Sequence, residues 1–424
     1  MTAYTIYNIG LLASLPLAAP YIGWRLLTRP EYRQDFFQRL GFRTPVSGKR
    51  CIWIHAVSVG ETLAAEPLIR LLSEKAPHIP ITLTVSTPTG RKVAEEKLAS
   101  MARILWFPYD FPGSARRAVS AINPSALVMI DTEIWPNVIK EVKAHGGKVA
   151  LVNGRISDRS YPRYKKARWL LKSALARMDL FLMQGEEDAR RLKDLGAGDA
   201  KVSVAGNLKF DKPHQPLDGR GRDELKMSLG LNRMEKVIFL GSIHQGEEAA
   251  IRAAFSAAER AGGARVVIAP RRVDDLGWIE RSIPAEYRLA RRSQGKPAES
   301  PGVINVPVID TFGELSRLYA VADVAFVGGS FISRGGQNPL EPAAHGVPVV
   351  FGPNMGNFRD AAAILLNSGG AHVAATEDEI IAKFVNLLAD EAARAEAGRN
   401  AQKAVEANRG AVGKAVDAIL ELVK

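Results

Sequence analysis

The stretch Val324–Asp360, VAFVGGSFISRGGQNPLEPAAHGVPVVFGPNMGNFRD, restricts the fold more than any other part of the chain. It opens with a four-residue apolar run, Val324–Val327, too short for a helix and typical of a strand buried on both faces. Gly328, Gly329, Gly335 and Gly336 follow and predict backbone that approaches another group closely. Pro339 suits a first helical turn, and Leu340–His345 reads as a short helix closed by Gly346. A second buried strand, Val347–Phe351, comes next. Strand, glycine loop, helix start and strand form the repeating unit of a parallel α/β sheet. This is also a layout in which free N–H groups and a helix dipole favour an anion. On layout alone Glu341 has two readings: an acceptor for ribose hydroxyls, or a helix-start acid beside ordinary turns.

The same grammar recurs. Cys51–Val57 predicts a first strand, followed by Ser58-Val59-Gly60-Glu61 and an amphipathic helix over Thr62–Lys75. Ile81–Ser86, Ile104–Pro108, Ala126–Ile130, Val149–Asn153, Leu180–Met183 and Val202–Ala205 continue it. After a polar stretch ending near Met234, Val237–Leu240 leads into Gly241-Ser242-Ile243-His244-Gln245-Gly246-Glu247-Glu248, again a strand, a small-residue loop and a helix start. Val266–Ala269 precedes Pro270-Arg271-Arg272, and Val306–Ile309 precedes Asp310-Thr311-Phe312-Gly313-Glu314-Leu315. Helices are expected over Glu377–Leu388 and Glu391–Leu422, and a surface segment between Arg281 and Gly302. At 424 residues the chain is long for one core, so two α/β domains are the natural division.

Composition narrows the chemistry. One cysteine, Cys51, excludes an intrachain disulfide and a cysteine-rich metal site. The seven histidines form no H-E-x-x-H pair, which argues against a zinc enzyme. A net charge of +12 calls for an acidic partner. Nucleic acid, anionic lipid and phosphorylated substrates all qualify.

No charged side chain precedes Arg25, and Met1–Trp24 as a helix would be just long enough to cross a bilayer. Pro16 and Pro20 also suit a kinked or interfacial anchor. The start lacks the basic region of a cleaved signal peptide. Arg25, Arg29, Arg33 and Arg39 then hold the rest on the cytoplasmic side by the positive-inside rule. Gly154–Arg177 sets eight cations against Asp158 alone and interleaves Tyr161, Tyr164 and Trp169. Such a segment suits a membrane surface or a phosphorylated lipid. A solvated basic face is the plain alternative. No nucleic-acid-binding signature accompanies it.

Glu61, at a strand-to-helix turn on a sheet edge, can serve as a general base or as a helix-start acid matching the dipole, and the residues alone leave both open. Arg91, after Thr87-Pro88-Thr89-Gly90, either holds an acidic group or is a solvated helix residue. Asp131 and Glu133 form an acid-x-acid pair, weak evidence for a metal without a third ligand.

HAVSVGE, TPTG, TEIWPN, GNLKFD, the GS-x-H-x-GE segment, DTFGEL and the stretch around Gly335-Gly336-Gln337-Asn338 together resemble the Kdo transferases. These glycosyltransferases of GT-B architecture move 3-deoxy-D-manno-octulosonic acid from CMP-Kdo to a lipid A precursor. The resemblance runs nearly end to end. It implies two facing Rossmann-like domains, with an anchor over 1–29, an acceptor domain over 30–212, a linker over 213–234 and a donor domain over 235–400. A C-terminal helix over 401–424 would cross back to the first domain. It implies Glu61 as catalytic base, with Ser58, Gly60, Arg91, Glu133, Arg155 and Arg159 binding the acceptor or shaping its site. Lys209, Ser242, His244, Gly246, Glu247, Pro270, Arg271, Gly313, Glu314, Gly335, Gly336, Asn338 and Glu341 would bind CMP-Kdo. No metal, no cofactor and no nucleic acid is implied; the partners are CMP-Kdo, the lipid A precursor and the cytoplasmic face of the inner membrane. Arg272 and Gln337 stand where the family usually has histidine. The sequence does not say how many Kdo units are added. Two competing readings are a different GT-B enzyme using a UDP-sugar on a lipid, and a non-catalytic basic protein of the membrane surface.

Overall fold

A computed structural model describes residues 2–28, 30–158, 160–211, 217–274, 276–295 and 304–424. The chain divides into two compact units, Met1–Lys212 with Arg409–Lys424, and Pro213–Asn408.

The first unit carries β1 (Cys51–Ala56), β2 (Ile81–Val85), β3 (Arg103–Trp106), β4 (Pro124–Ile130), β5 (Lys148–Gly154), β6 (Leu180–Met183) and β7 (Val202–Val204). They form one parallel sheet in the order β3-β2-β1-β4-β5-β6-β7. Both faces are covered, so β1, β2 and β4 are buried at nearly every position, as their unbroken apolar runs require. One face packs on Leu68, Ile69, Leu72 and, from the far end of the chain, Val412, Ala415 and Ile419. The other packs on Val138, Val142, Leu171, Leu175 and Leu192.

The second unit carries β8 (Val237–Ile243), β9 (Arg265–Pro270), β10 (Tyr287–Arg291), β11 (Ile304–Val308), β12 (Val324–Val327), β13 (Val349–Phe351) and β14 (Ala371–Val373). Their parallel order is β10-β11-β9-β8-β12-β13-β14. In each sheet the strand order reverses direction beside the first strand, between β1 and β4 and between β8 and β12. The crevice beyond the carboxyl ends of the strands at such a switch point is where doubly wound folds bind ligands.

Several expectations change. The expected surface segment after Arg281 contains β10, an edge strand of alternating character (YRLAR) whose cations mask its pattern. The polar stretch before Met234 contains a helix, Gly219–Ser228, capped by Asp218. It is fixed by Arg222, which donates to the carbonyl oxygens of Ala320, Val321 and Ala322. Any linker is correspondingly shorter. The expected long final helix breaks at Asn408–Gly410, with Gly410 at φ +100°, into Glu391–Ala407 and Ala411–Val423. Only the latter belongs to the first unit. Its start is capped from a distance by Asp211, whose carboxylate accepts from the N–H groups of Gly410 (2.6 Å) and Val412 (2.5 Å).

The N-terminal segment is a helix, Ala3–Thr28, containing Pro16 and Pro20. Among the described residues no single helix is long and apolar enough to cross a membrane. The halves Ala3–Leu17 and Ala19–Thr28, bent by 57°, reach that length and composition only together. Each proline removes a backbone donor and crowds the preceding turn, which accounts for the bend.

Candidate active site

At the switch point of the first sheet, β1 ends and Ser58 caps the helix Val59–Lys75. Three residues later Glu61 reaches back: its Oε2 accepts from the Val57 N–H (2.6 Å) and its Oε1 from the Ser58 hydroxyl (2.9 Å). This is a capping-box arrangement, so the helix-start reading of Glu61 is correct as far as it goes. Its electrostatics go further. Burial pushes its carboxyl above the ordinary range, with Asp131 adding to the rise, while Val57, Ser58 and Lys209 pull it down. Gly60 is exposed and a Cβ there would meet only the Ser58 hydroxyl, at 3.9 Å. The approach beside Glu61 is therefore open.

β4, the strand across the switch point, delivers the other two acids. Asp131 adopts φ +58°, and its Oδ1 accepts from the Asn153 amide (2.6 Å). Burial raises its carboxyl, against the nearby cations Lys209 and Arg155. Glu133 is pushed up to about 7, first by burial and then by the charges of Glu61 and Asp131. Lys209 is held below its usual range by burial, partly offset by Asp131 and Glu61. Three carboxyl groups and two cations thus share one desolvated patch. Glu61 and Glu133 are both raised by burial, and Glu61 has besides the hydrogen bonds of Val57 and Ser58 and the charge of Lys209 to favour its ionised form.

Asn153, which sequence reasoning passed over, assembles this patch. It is buried at the end of β5 with φ +61°, holds Asp131 through its amide, and accepts the Leu208 N–H at 3.0 Å, setting the turn that carries Lys209. A polar residue closing an apolar strand just before glycine was the available signal. Tyr164, from the basic-aromatic segment, also belongs here: burial first, then the Glu133 charge, raises its phenol. Thr132 exchanges hydrogen bonds with the Arg155 backbone. Arg159 lies outside the described residues. Arg91 is engaged elsewhere, paired with Glu95 at 2.7 Å and 5.0 Å over the Trp106 ring. Gly90 explains the TPTG segment, since a Cβ there would sit 3.3 Å from the Ser58 carbonyl carbon. Lys209, expected among the donor contacts, sits in the first unit with Glu61 and Asp131.

In the second unit the loops after β8 and β12 meet. Ser242 takes φ +54°, and a Cβ on Gly328 would lie 2.3 Å from the Ser242 carbonyl oxygen. Glu247 ties the loops together. It is fully buried, and its carboxylate accepts from the N–H groups of His244 (2.9 Å), Gly329 (2.7 Å) and Phe331 (3.0 Å). It has no surface left for a ligand, which corrects its expected role as a direct donor contact. The nearby glycines have a packing reason of their own. Gly335 and Gly336 have positive φ and make room for Asn357 and Met355, and the Gly336 N–H donates to Gly329. Asn338 Oδ1 accepts from the Leu340 N–H, at 3.1 Å. The helix it starts, Leu340–Ala344, has only five residues, so its dipole is small.

Cations gather around His244. Its ring nitrogen Nε2 is 3.3 Å from the Gln337 amide nitrogen. Burial lowers the imidazole's proton affinity, and the cations Arg271, Arg334 and Arg272 lower it further. Arg334 was missed by sequence reasoning, and Arg272, standing in for a family histidine, adds to the same field. Gly246 takes φ +99° and donates its N–H to Glu248. Pro270 ends β9 opposite Ile243, and the Arg271 N–H donates to Ile243. Exposed Gly313, at φ +88°, precedes Glu314, which pairs with Arg292 at 3.4 Å. The Glu341 charge is felt by the buried Tyr319 phenol. Among the described residues no three His, Cys, Asp or Glu side chains converge in a way that could hold a metal ion.

Comparison with known proteins agrees with this geometry. The fold matches a glycosyltransferase from Rickettsia africae with a TM-score of 0.59 at 10% identity, over 89% of this chain and 100% of that one. It equally matches a UDP-GlcNAc 2-epimerase from Neisseria meningitidis bound to UDP-GlcNAc, with a TM-score of 0.59 at 13% identity, over 88% and 99% of the two chains. Residues 34–212 match the family described as 3-deoxy-D-manno-octulosonic-acid transferase (kdotransferase). A 3-deoxy-D-manno-octulosonic acid transferase of Bordetella pertussis is 35% identical over 98% of both chains. Its counterpart in Haemophilus influenzae is 31% identical over 97% of this chain and 96% of its own. With two parallel Rossmann-like sheets, acids gathered at one switch point and cations at the other, the chain belongs to the Kdo transferase family of GT-B glycosyltransferases.

Proposed function

We propose that the protein transfers Kdo from CMP-Kdo to a lipid A precursor, with inversion at the anomeric carbon and without a metal. The observation that carries this reading is the Glu61 carboxylate, oriented by Val57 and Ser58 and facing a desolvated patch with Glu133, Asp131 and Lys209. The second unit binds the anionic donor through Ser242, His244 and the field of Arg271, Arg272 and Arg334. A sugar hydroxyl of the acceptor attacks the anomeric carbon as the bond to the CMP phosphate breaks. The hydroxyl proton passes to Glu61, and CMP leaves with the bonding pair. One displacement with one base inverts the centre. Charge on the departing phosphate is met by the chain's own cations, which stabilise it in place of a metal. Glu133, pushed up to about 7, is protonated in part of the population near neutrality, and in that form it can donate a hydrogen bond to the acceptor. The N-terminal helix and the cations of Arg155–Arg177 seat the enzyme on the cytoplasmic face of the inner membrane.

The test is transfer from CMP-Kdo to tetraacylated lipid A precursor in detergent with EDTA, with the anomeric configuration of the product read by NMR. Inverted product from the wild type and none from Glu61→Ala is the expected result. Activity restored only by a divalent ion would overturn metal independence. Turnover of a UDP-sugar in place of CMP-Kdo would overturn the donor.

A further inference from the structure

The N-terminal segment from Ala3 to Arg39 is fastened to the rest of the first unit near its start and near its end. At its start, the Tyr7 hydroxyl donates to Asp110 Oδ2 (2.8 Å), the Asn137 amide donates to Asn8 Oδ1 (2.7 Å), and the Arg177 guanidinium lies 5.1 Å over the Tyr4 ring. Tyr4, Tyr7, Asn8 and Leu11 form the face turned toward the protein, at the helical spacing i, i+3, i+4, i+7. Near its end, the helix Pro30–Arg39 is fastened to Trp106. Asp35 Oδ1 accepts from the indole N–H (2.5 Å), and Gln38 Oε1 accepts from the backbone N–H (3.0 Å).

Trp106 and Asp110 are neighbours in the chain, separated by at most about 14 Å of backbone. The segment from Asn8 to Asp35 therefore leaves one patch of the folded unit and returns to it. A single crossing would put the two ends roughly 30 Å apart, on opposite sides of the hydrocarbon. Crossing and returning takes roughly forty residues, and this segment is far shorter. Yet its middle is apolar and exposed: Leu12, Leu15, Leu17, Tyr21, Trp24 and Leu27 all face outward, Leu17 at 86%. Such a surface needs a cover. Beside it, packed against the same helix, runs Arg168–Leu175. This helix and its flanks expose Arg163, Lys165, Lys166, Arg168, Lys172 and Arg177 around a half-exposed Trp169.

We propose that Ala3–Thr28 is a one-leaflet anchor: it lies bent in the head-group and upper acyl region of an anionic bilayer, with both its ends on the side of the catalytic units. Apolar residues next to clustered cations are the chemistry of that boundary. The proposal rests on the membrane seat inferred above and fixes how the chain occupies it. It also ties the bilayer to the site. Asp110, held by Tyr7, accepts from the N–H groups of Asn137 and Val138, and so caps the helix that begins just after Glu133 and Trp135.

The full-length protein carrying Thr2→Cys or Lys49→Cys is probed with a membrane-impermeant maleimide in vesicles of opposite orientation. Cys51 is fully buried and serves as the silent background. Labelling of both positions from the same face, to the same extent, is expected. Thr2→Cys labelled from the face opposite Lys49→Cys overturns the proposal while leaving the membrane seat intact. Flotation on vesicles of phosphatidylglycerol and phosphatidylethanolamine separates the two readings. Wild type should float, and Leu17→Asp should bind about tenfold to a hundredfold more weakly, the loss of one buried leucine. No flotation overturns both the proposal and the membrane seat. A dimer that occludes Leu17 and Trp24 in the absence of lipid overturns the bilayer as the occupant.

Discussion

Replacing Glu61 separates a helix cap from a catalytic base, because the structure shows the first position and the proposed reaction requires the second. Gln keeps the shape. Its carbonyl can still accept the Val57 N–H, and its NH₂ can donate to the Ser58 hydroxyl, which rotates to accept. Ala removes both contacts, strands the Val57 N–H and costs about 1–3 kcal/mol. The charge works in the other direction. Burial raises the folded-state pKa of Glu61 above its unfolded value. Below the unfolded value both states hold the proton and nothing is lost. As pH rises through it, the unfolded chain ionises first and the folded state loses stability until its own carboxyl ionises. Glu61→Gln removes that loss, so it should melt at least as high as wild type near about pH 8, whereas Glu61→Ala should melt lower. Activity should follow a different order. A lost general base costs about 10²–10⁴-fold in rate, equivalent to about 3–5 kcal/mol of barrier, and Gln should lose as much as Ala. Calorimetric melting at two pH values and single-turnover Kdo transfer read the two axes separately. Wild-type turnover by Glu61→Gln, or an alkaline melting temperature below wild type, would refute the reasoning.

Glu133, pushed up to about 7, should make wild type lose stability as pH rises from the ordinary carboxylate range to about 7, and Glu133→Gln should flatten that slope in a melting series. Glu247→Ala leaves one buried and two part-buried backbone N–H groups without that acceptor and should cost at least about 1–3 kcal/mol, with CMP affinity falling as the His244 loop loosens; equilibrium urea unfolding and calorimetric titration with CMP check both. Asp211→Ala uncaps the last helix and should cost about 1–2 kcal/mol, visible as earlier proteolytic loss of the segment after Asn408.

Much of the architecture was legible because parallel strands buried on both faces must be written as unbroken apolar runs, and glycine and proline punctuate them. CIWIHA, VAFV and VIFL could hardly be anything else, although the last strand runs on through Gly241-Ser242-Ile243, which read as loop. Where charge interrupts the run, the signal fades: YRLAR is an edge strand with cations on its exposed positions, and only its partner β11 identifies it. The break at Gly410 was hidden for the opposite reason. Apolar periodicity continues on both sides of it, and nothing local says that the last helix packs on Leu68 and Leu72 rather than on its own neighbours.

The site divides along a similar line. Residues that act from the end of a strand, such as Ser58, Glu61 and Glu133, can be placed from sequence because the strand end fixes their position. Roles that depend on what a side chain meets across the fold cannot. Glu247 looks like a ligand-binding acid at a helix start, yet its carboxylate is consumed by amides eighty residues away at Gly329 and Phe331. The glycines beside it look like a phosphate cradle, and nothing in the sequence shows that Gly328, Gly335 and Gly336 are also places where Ser242, Asn357 and Met355 crowd the backbone. The charge gathered beside those loops comes from Arg271, Arg272 and Arg334, whose field reaches His244. The loops are precise because the buried acid ties their amides together and the glycines let their backbones approach, so the cations beside them are held at a fixed place.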